Sequence, residues 1–208
     1  MKKLIPLLLV VLTFAACEKD PDTDKLDNKY LVYTNYDTKA DFKAFQTYYM
    51  PDSILIIGDK KEAEYWKDES AQEILQAYAT NMNNRGFVRV DDREEANLGL
   101  QVSYIKSTYY FNDYGRPEWW WNYPGYWDAP YWGNWGGWYY PYAVTYSTGS
   151  FITELLNLEA TQGEKEKLPI LWTSYMSGLL SGSTAVNTKL AIEGVNQAYT
   201  QSSYLTNK

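Results

Sequence analysis

Between Tyr109 and Tyr142 the chain cannot continue any regular element that it brings to that point. The segment reads YYFNDYGRPEWWWNYPGYWDAPYWGNWGGWYYPY, and half of its thirty-four residues are aromatic. Seven of the nine tryptophans fall in it: Trp119, Trp120, Trp121, Trp127, Trp132, Trp135 and Trp138. Four of the eight prolines, Pro117, Pro124, Pro130 and Pro141, alternate with glycines between the rings. Each proline removes a backbone donor and fixes φ, and each glycine raises the entropy cost of order. A helix is therefore excluded, and residues 109–142 are expected to form a long irregular insert with turns. The flanking sequence has to supply the sheet and helices on which that insert is mounted.

Missing residue types narrow the chemistry. The 208 residues contain no histidine and one cysteine. The commonest general base, the commonest metal ligand and every Ser-His or Cys-His arrangement are absent, as are thiolate metal sites and disulfides within the chain. Reaction chemistry would have to come from carboxylates, Tyr, Lys or Ser, and no cofactor is called for. Calcium on carboxylate oxygens is the metal chemistry left open. A net charge of −7, becoming −9 if Lys2 and Lys3 leave with a leader, argues against nucleic acid as a partner.

The first 16 residues have the parts of a secretory signal: Lys2 and Lys3, an apolar run from Leu4 through Phe14, and Ala15-Ala16 before Cys17. That run is shorter than the roughly 20 residues a membrane span needs. Phe14-Ala15-Ala16-Cys17 resembles a bacterial lipobox, in which the leader is cut before the cysteine and lipid is attached to it; Phe14 stands where Leu is usual. Cys17 is thus the expected lipidation site. From Glu18 to Lys29 the chain reads EKDPDTDKLDNK, eight charged residues in twelve, a composition that cannot bury enough surface to order itself. Extended, it would reach ~40 Å from a membrane. Its acidic start resembles the surface-export tag of some Bacteroidetes lipoproteins. The expected organisation is a signal peptide over 1–16, a lipidated cysteine and tether over 17–29, and one domain over 30–208 carrying the insert. The expected location is the outer membrane, lipid-anchored, on its periplasmic side or at the cell surface.

The domain reads as α+β. Tyr30–Tyr36, Phe45–Met50 and Ile54–Ile57 are rich in β-formers and separated by turn residues. Ala63, Trp66, Ala71, Ile74, Leu75, Tyr78, Ala79 and Met82 keep helical spacing, which predicts an amphipathic helix within Lys60–Asn84 ended by Gly86. Phe87–Val90 is a short strand candidate, and DDREEAN (91–97) a solvated connection. Leu98, Leu100, Val102 and Tyr104 alternate with Gly99, Gln101, Ser103 and Ile105, the period of a half-buried strand. Beyond the insert, Ala143–Leu158 reads as extended chain with a bend at Ser147–Ser150, and Pro169–Met176 as its hairpin partner. Thr188, Ala191, Ile192, Val195, Ala198 and Tyr199 space a closing helix. The order predicts a mixed, mostly antiparallel sheet with two main helices packed on one face and a long aromatic-rich loop insert. Trp66 and Trp172, on the apolar periods of a helix and a strand, are expected in the core.

Several of these residues together resemble a bacterial lipoprotein family, domain of unknown function 4136. They are the early Tyr-rich strand followed by Phe42 and Phe45-Gln46-Thr47-Tyr48, then Arg85-Gly86-Phe87, Ala96-Asn97-Leu98, Tyr146-Ser147-Thr148-Gly149-Ser150 and Leu171-Trp172. The resemblance runs from about Tyr30 to the end. Where the family commonly has Ala-Asp, this chain has Ala96-Asn97. The family brings no established activity, so it implies no catalytic residues.

Three uses of the rings compete. Trp119, Trp120, Trp121, Trp127, Trp132, Trp135 and Trp138 could stack on sugars while Asn112, Asn122, Asn134, Asp113 and Asp128 take hydroxyls. They could instead pack on the sheet as a structural lid, or sit at a membrane interface, for which no cationic face accompanies them. Asp113, Glu118 and Asp128 among the rings raise a fourth reading, a carboxylate-based glycan hydrolase, but such pairs usually stand on rigid elements. The expectation is a non-enzymatic, lipid-anchored binding or structural module whose partners are the membrane through its anchor and an envelope glycan or another envelope protein.

Overall fold

The computed structural model describes residues 30–57, 64–106, 149–160, 169–179 and 183–208. Its elements are β1 (Leu31–Tyr36), β2 (Thr47–Tyr49), β3 (Ile54–Ile57), β4 (Glu64–Trp66), α1 (Glu69–Asn84), β5 (Val88–Val90), β6 (Leu98–Ile105), β7 (Ser150–Asn157), β8 (Ile170–Ser177) and α2 (Thr184–Thr200). Strand β6 organises them. On one side it pairs antiparallel with β7 along its whole length. On the other it takes two partners in line, β2 at Leu98–Gly99 and β3 at Ser103–Ile105, both parallel. The sheet order is β1-β8-β7-β6-β2-β5, with β3 and then β4 extending the far end of the β2 side. The architecture is α+β, a mixed, mostly antiparallel open sheet with two helices, as the order of sequence patterns predicts.

Both helices lie on one face, held by the stripes they bury. Helix α1 starts where Asp68 accepts the amide of Ala71, a side-chain N-cap, and turns Ala71, Ile74, Leu75, Tyr78, Ala79 and Met82 inward. It ends at Arg85-Gly86, where Gly86 has φ 95° and a Cβ would collide with the Asn207 side chain. Helix α2 buries Thr188, Ala191, Gly194, Val195, Ala198 and Tyr199. At Gly194 the helix approaches β8 so closely that a Cβ would sit 2.9 Å from Met176 Sδ. Across the layers the Tyr78 hydroxyl shares a 2.6 Å hydrogen bond with Thr153 Oγ1, and Trp172 donates Nε1 to Ser202 Oγ at 2.9 Å. The last residues close the structure: Asn207 N and Thr206 Oγ1 both donate to the Arg85 carbonyl.

Two expectations are corrected. The helix predicted within Lys60–Asn84 starts only at Glu69, and Glu64–Trp66 is strand β4, antiparallel to β3. Tyr65 and Trp66 are good β-formers, and pairing satisfies the free edge of β3, whereas the helical spacing of Trp66 from α1 was coincidental. Strand β6, expected half-buried, is buried at every residue but Tyr104. On the face away from the helices Gln101, Glu154 and Thr173 stand in register on β6, β7 and β8, none more than 2% exposed. The alternation of apolar and polar residues in β6 therefore separates two buried faces of different chemistry rather than core from solvent. The connection over 91–97 is solvated as expected, with Asp91, Asp92, Glu94 and Glu95 exposed around one 3-10 turn, Arg93–Glu95, capped by Asp92.

Asn97 joins three segments. Its Oδ1 accepts from the amides of Gln46 and Thr47, both at 2.9 Å, and from Thr47 Oγ1 at 3.1 Å. Its Nδ2 donates to Glu159 Oε1 at 2.7 Å. An aspartate would satisfy the three donors but turn its second oxygen on the Glu159 carboxylate. Asn97→Asp is expected to cost about 1–2 kcal/mol at pH 7, and adding Glu159→Gln to recover most of it by restoring a donor. Urea midpoints for the two single variants and the double variant check this; a double variant no more stable than Asn97→Asp would refute the pairing.

Candidate functional site

At the β3/β4 end of the sheet, on the helix face, the layers part around a cavity of about 360 Å³. Its floor is aromatic because neighbouring strands place rings at matched positions. Tyr104 on β6 lies directly opposite Phe151 on β7, and Ile56 on β3 lies beside Tyr104. Trp66 on β4 completes the group. Ring centroids are 5.5 Å apart for Trp66–Tyr104, 5.2 Å for Tyr104–Phe151 and 6.2 Å for Trp66–Phe151. Ile74 of α1 and Thr188 and Ala191 of α2 form the walls, with Leu179, Thr184, Asn187, Lys106 and Gly149 completing the described lining.

Trp66 is held in place from behind. Its Nε1 donates to Asp68 Oδ1 at 2.6 Å, and the same oxygen caps α1 at 3.1 Å from the Ala71 amide. The start of the helix and the orientation of the ring are thus set by one carboxylate. At the mouth, Lys106 Nζ lies 3.5 Å from Glu64 Oε2, a partly exposed pair worth little to stability. The cavity also marks where the chain leaves for and returns from residues 107–148. Lys106 N donates to Ile57 O at 2.8 Å, and Gly149 N, at φ 81°, to Ile105 O at 2.9 Å.

No carboxylate stands among the described lining residues, and burial raises the Tyr104 hydroxyl above its ordinary pKa, so it stays a neutral donor at neutral pH. The Thr188 hydroxyl is engaged with Thr184 O at 3.1 Å. Deeper in the fold, burial pushes Tyr48 up to about 12 against the pull of Arg89. Burial likewise raises Tyr78 and Tyr199, opposed in Tyr78 by hydrogen bonds from Thr153 and Ser174. These phenols are packing groups; Tyr48 also donates to Asn83 Oδ1 at 3.4 Å, and Tyr78 shares its hydrogen bond with Thr153 Oγ1. Among the described residues no group of three Asp, Glu, His or Cys could hold a metal ion, and no helix is long and apolar enough to cross a membrane.

The residues singled out in the sequence fare differently. Cys17 and Trp119, Trp120, Trp121, Trp127, Trp132, Trp135 and Trp138 lie outside the described residues, as do Asp113, Glu118 and Asp128. Trp172 is core, fully buried as expected. Trp66 is not: it is a half-buried pocket ring on a strand. Sequence reasoning missed the pocket because Trp66, Tyr104 and Phe151 are distant in the chain and meet only through strand register. The available signal was phase, since Tyr104 shares the face of Leu98, Leu100 and Val102 and so had to face the helices.

Residues 32–202 match the family model described as Domain of unknown function (DUF4136). A crystal structure of a DUF4136 family protein from Bacteroides thetaiotaomicron VPI-5482 is 62% identical, with a TM-score of 0.72, and the match covers 88% of this chain and 100% of that one. No curated protein matches.

Proposed function

Because this chain belongs to the DUF4136 family, a family of unknown function, its role has to be argued from its own residues. We propose that it is a lipid-anchored cell-envelope protein that binds a compact, largely apolar ligand in the pocket floored by Trp66, Tyr104 and Phe151. The observation that carries this reading is a half-open pocket of about 360 Å³ against three rings, within the roughly 300–1,000 Å³ typical of small-molecule sites. Support for the envelope location comes from the leader and Cys17, with Glu18–Lys29 as spacer. The rings of residues 109–142 add recognition of an envelope glycan or protein, since Trp and Tyr rings stack on sugars and anchor protein contacts.

Thermal unfolding of the full chain with a panel of small neutral apolar compounds, indole and n-alkanols among them, tests the pocket. A compound present at about 100 times its Kd stabilises by roughly 2.7 kcal/mol, which for a protein of this size raises Tm by about 5–11 °C. Thr188→Leu, which puts a larger side chain into the cavity, should reduce the shift. If no compound raises the wild-type midpoint more than that of Thr188→Leu, the pocket reading is wrong. Consumption of labelled envelope polysaccharide would instead favour the carboxylate hydrolase.

A further inference from the structure

Resting on the pocket reading above, we propose that the occupant is a single-chain anionic amphiphile, a free fatty acid, with its alkyl chain on the aromatic floor and its carboxylate at Lys106. Polarity in the pocket is divided by depth. Ile74, Phe151, Leu179 and Ala191 are buried and form the inner wall, whereas Lys106 and Thr184 stand exposed at the mouth. A ligand that matches this division has one apolar end and one polar end.

Ring geometry then selects among apolar bodies. Trp66 and Tyr104 meet at 64° and Tyr104 and Phe151 at 62°. With Trp66 and Phe151 tilted by 35°, the three rings share no common plane on which one flat ligand ring could stack against all of them. A flexible alkyl chain needs contact but no defined plane, and follows such a wall. Volume limits the number of chains: about 360 Å³ is near the lower bound for ligand pockets, room for one chain rather than the two of a phospholipid.

Charge decides the head group. Lys106 is the charged side chain among the described lining residues, and the first turn of α2, which reaches the mouth at Thr184 and Asn187, carries no acidic side chain. Glu64 offsets part of the Lys106 charge from 3.5 Å away, so a carboxylate gains severalfold over a neutral head group rather than by orders of magnitude.

The test is calorimetric titration of the full chain carrying Cys17→Ser, which removes the expected acyl groups as competitors. Hexanoate, octanoate, decanoate and dodecanoate are compared with the alcohols of the same length. Each methylene that enters the pocket should tighten binding about fourfold, the factor for burying one CH₂. Decanoate should bind severalfold tighter than decanol, and Lys106→Met should remove that margin. Thr188→Leu should weaken the whole series, and Ala191→Leu provides the same block should the first variant fail to unfold cooperatively. Affinity independent of chain length, no preference for the carboxylate, or a preference that survives Lys106→Met would each overturn the inference. If alcohols or indole still bind and are weakened in Thr188→Leu, the pocket reading stands without the fatty acid. If nothing binds in any series, both fall.

Discussion

Trp172→Ala is expected to remove about 3–5 kcal/mol of stability, the range for truncating a buried tryptophan. Trp172 is fully buried in the middle of β8, its ring centroid 5.3 Å from that of Tyr199 on α2, and its Nε1 donates to Ser202 just beyond that helix. Truncation would open a cavity at the contact between sheet and helix and leave the fully buried Ser202 hydroxyl only the longer hydrogen bond from the Tyr204 hydroxyl, at 3.3 Å. For a protein of this size the loss corresponds to a fall in Tm of roughly 6–20 °C. Trp172→Phe keeps most of the ring and loses the hydrogen bond, so about 1–2 kcal/mol is expected. Urea unfolding of both variants measures the difference. A loss under about 1 kcal/mol for the alanine variant would mean that α2 is not docked through this residue.

Cys17→Ser is expected to move the protein out of the membrane fraction, either as a soluble form or as an unprocessed precursor. Two or three acyl chains give stable attachment, where one chain holds only marginally and reversibly. The expectation rests on the basic start, the short apolar run and the Ala15-Ala16-Cys17 ending, and the wild type should incorporate labelled fatty acid at Cys17. A variant that still fractionates as a processed membrane protein, or a wild type that takes up no label, would remove the anchor from the proposal. Protease shaving of intact cells would then assign the face of the membrane.

Local chemistry made much of the fold legible. Ala71, Ile74, Leu75, Tyr78, Ala79 and Met82 repeat at helical spacing because one helix face must meet the sheet, and they are the residues that α1 buries. Gly86 was readable as a stop because a left-handed C-terminal residue favours glycine, and its φ is 95°. Where sequence reading failed, pairing overrode spacing. Trp66 keeps the helical phase of α1, but the open edge of β3 needed hydrogen-bond partners and drew Glu64–Trp66 into the sheet.

By itself, the sequence determined what lies within a few residues of each position: the helix stripes, the turn glycines, the exclusion of histidine chemistry, and the resemblance that the family match upheld. Only the tertiary structure decided how β6 divides its partners between β2 and β3, and that both its faces are buried. It also decided that rings from β4, β6 and β7 meet around one cavity. These facts depend on register between strands far apart in the chain, such as Tyr104 opposite Phe151. Register is set by the closing of long loops and the packing of whole faces, and no local pattern records it.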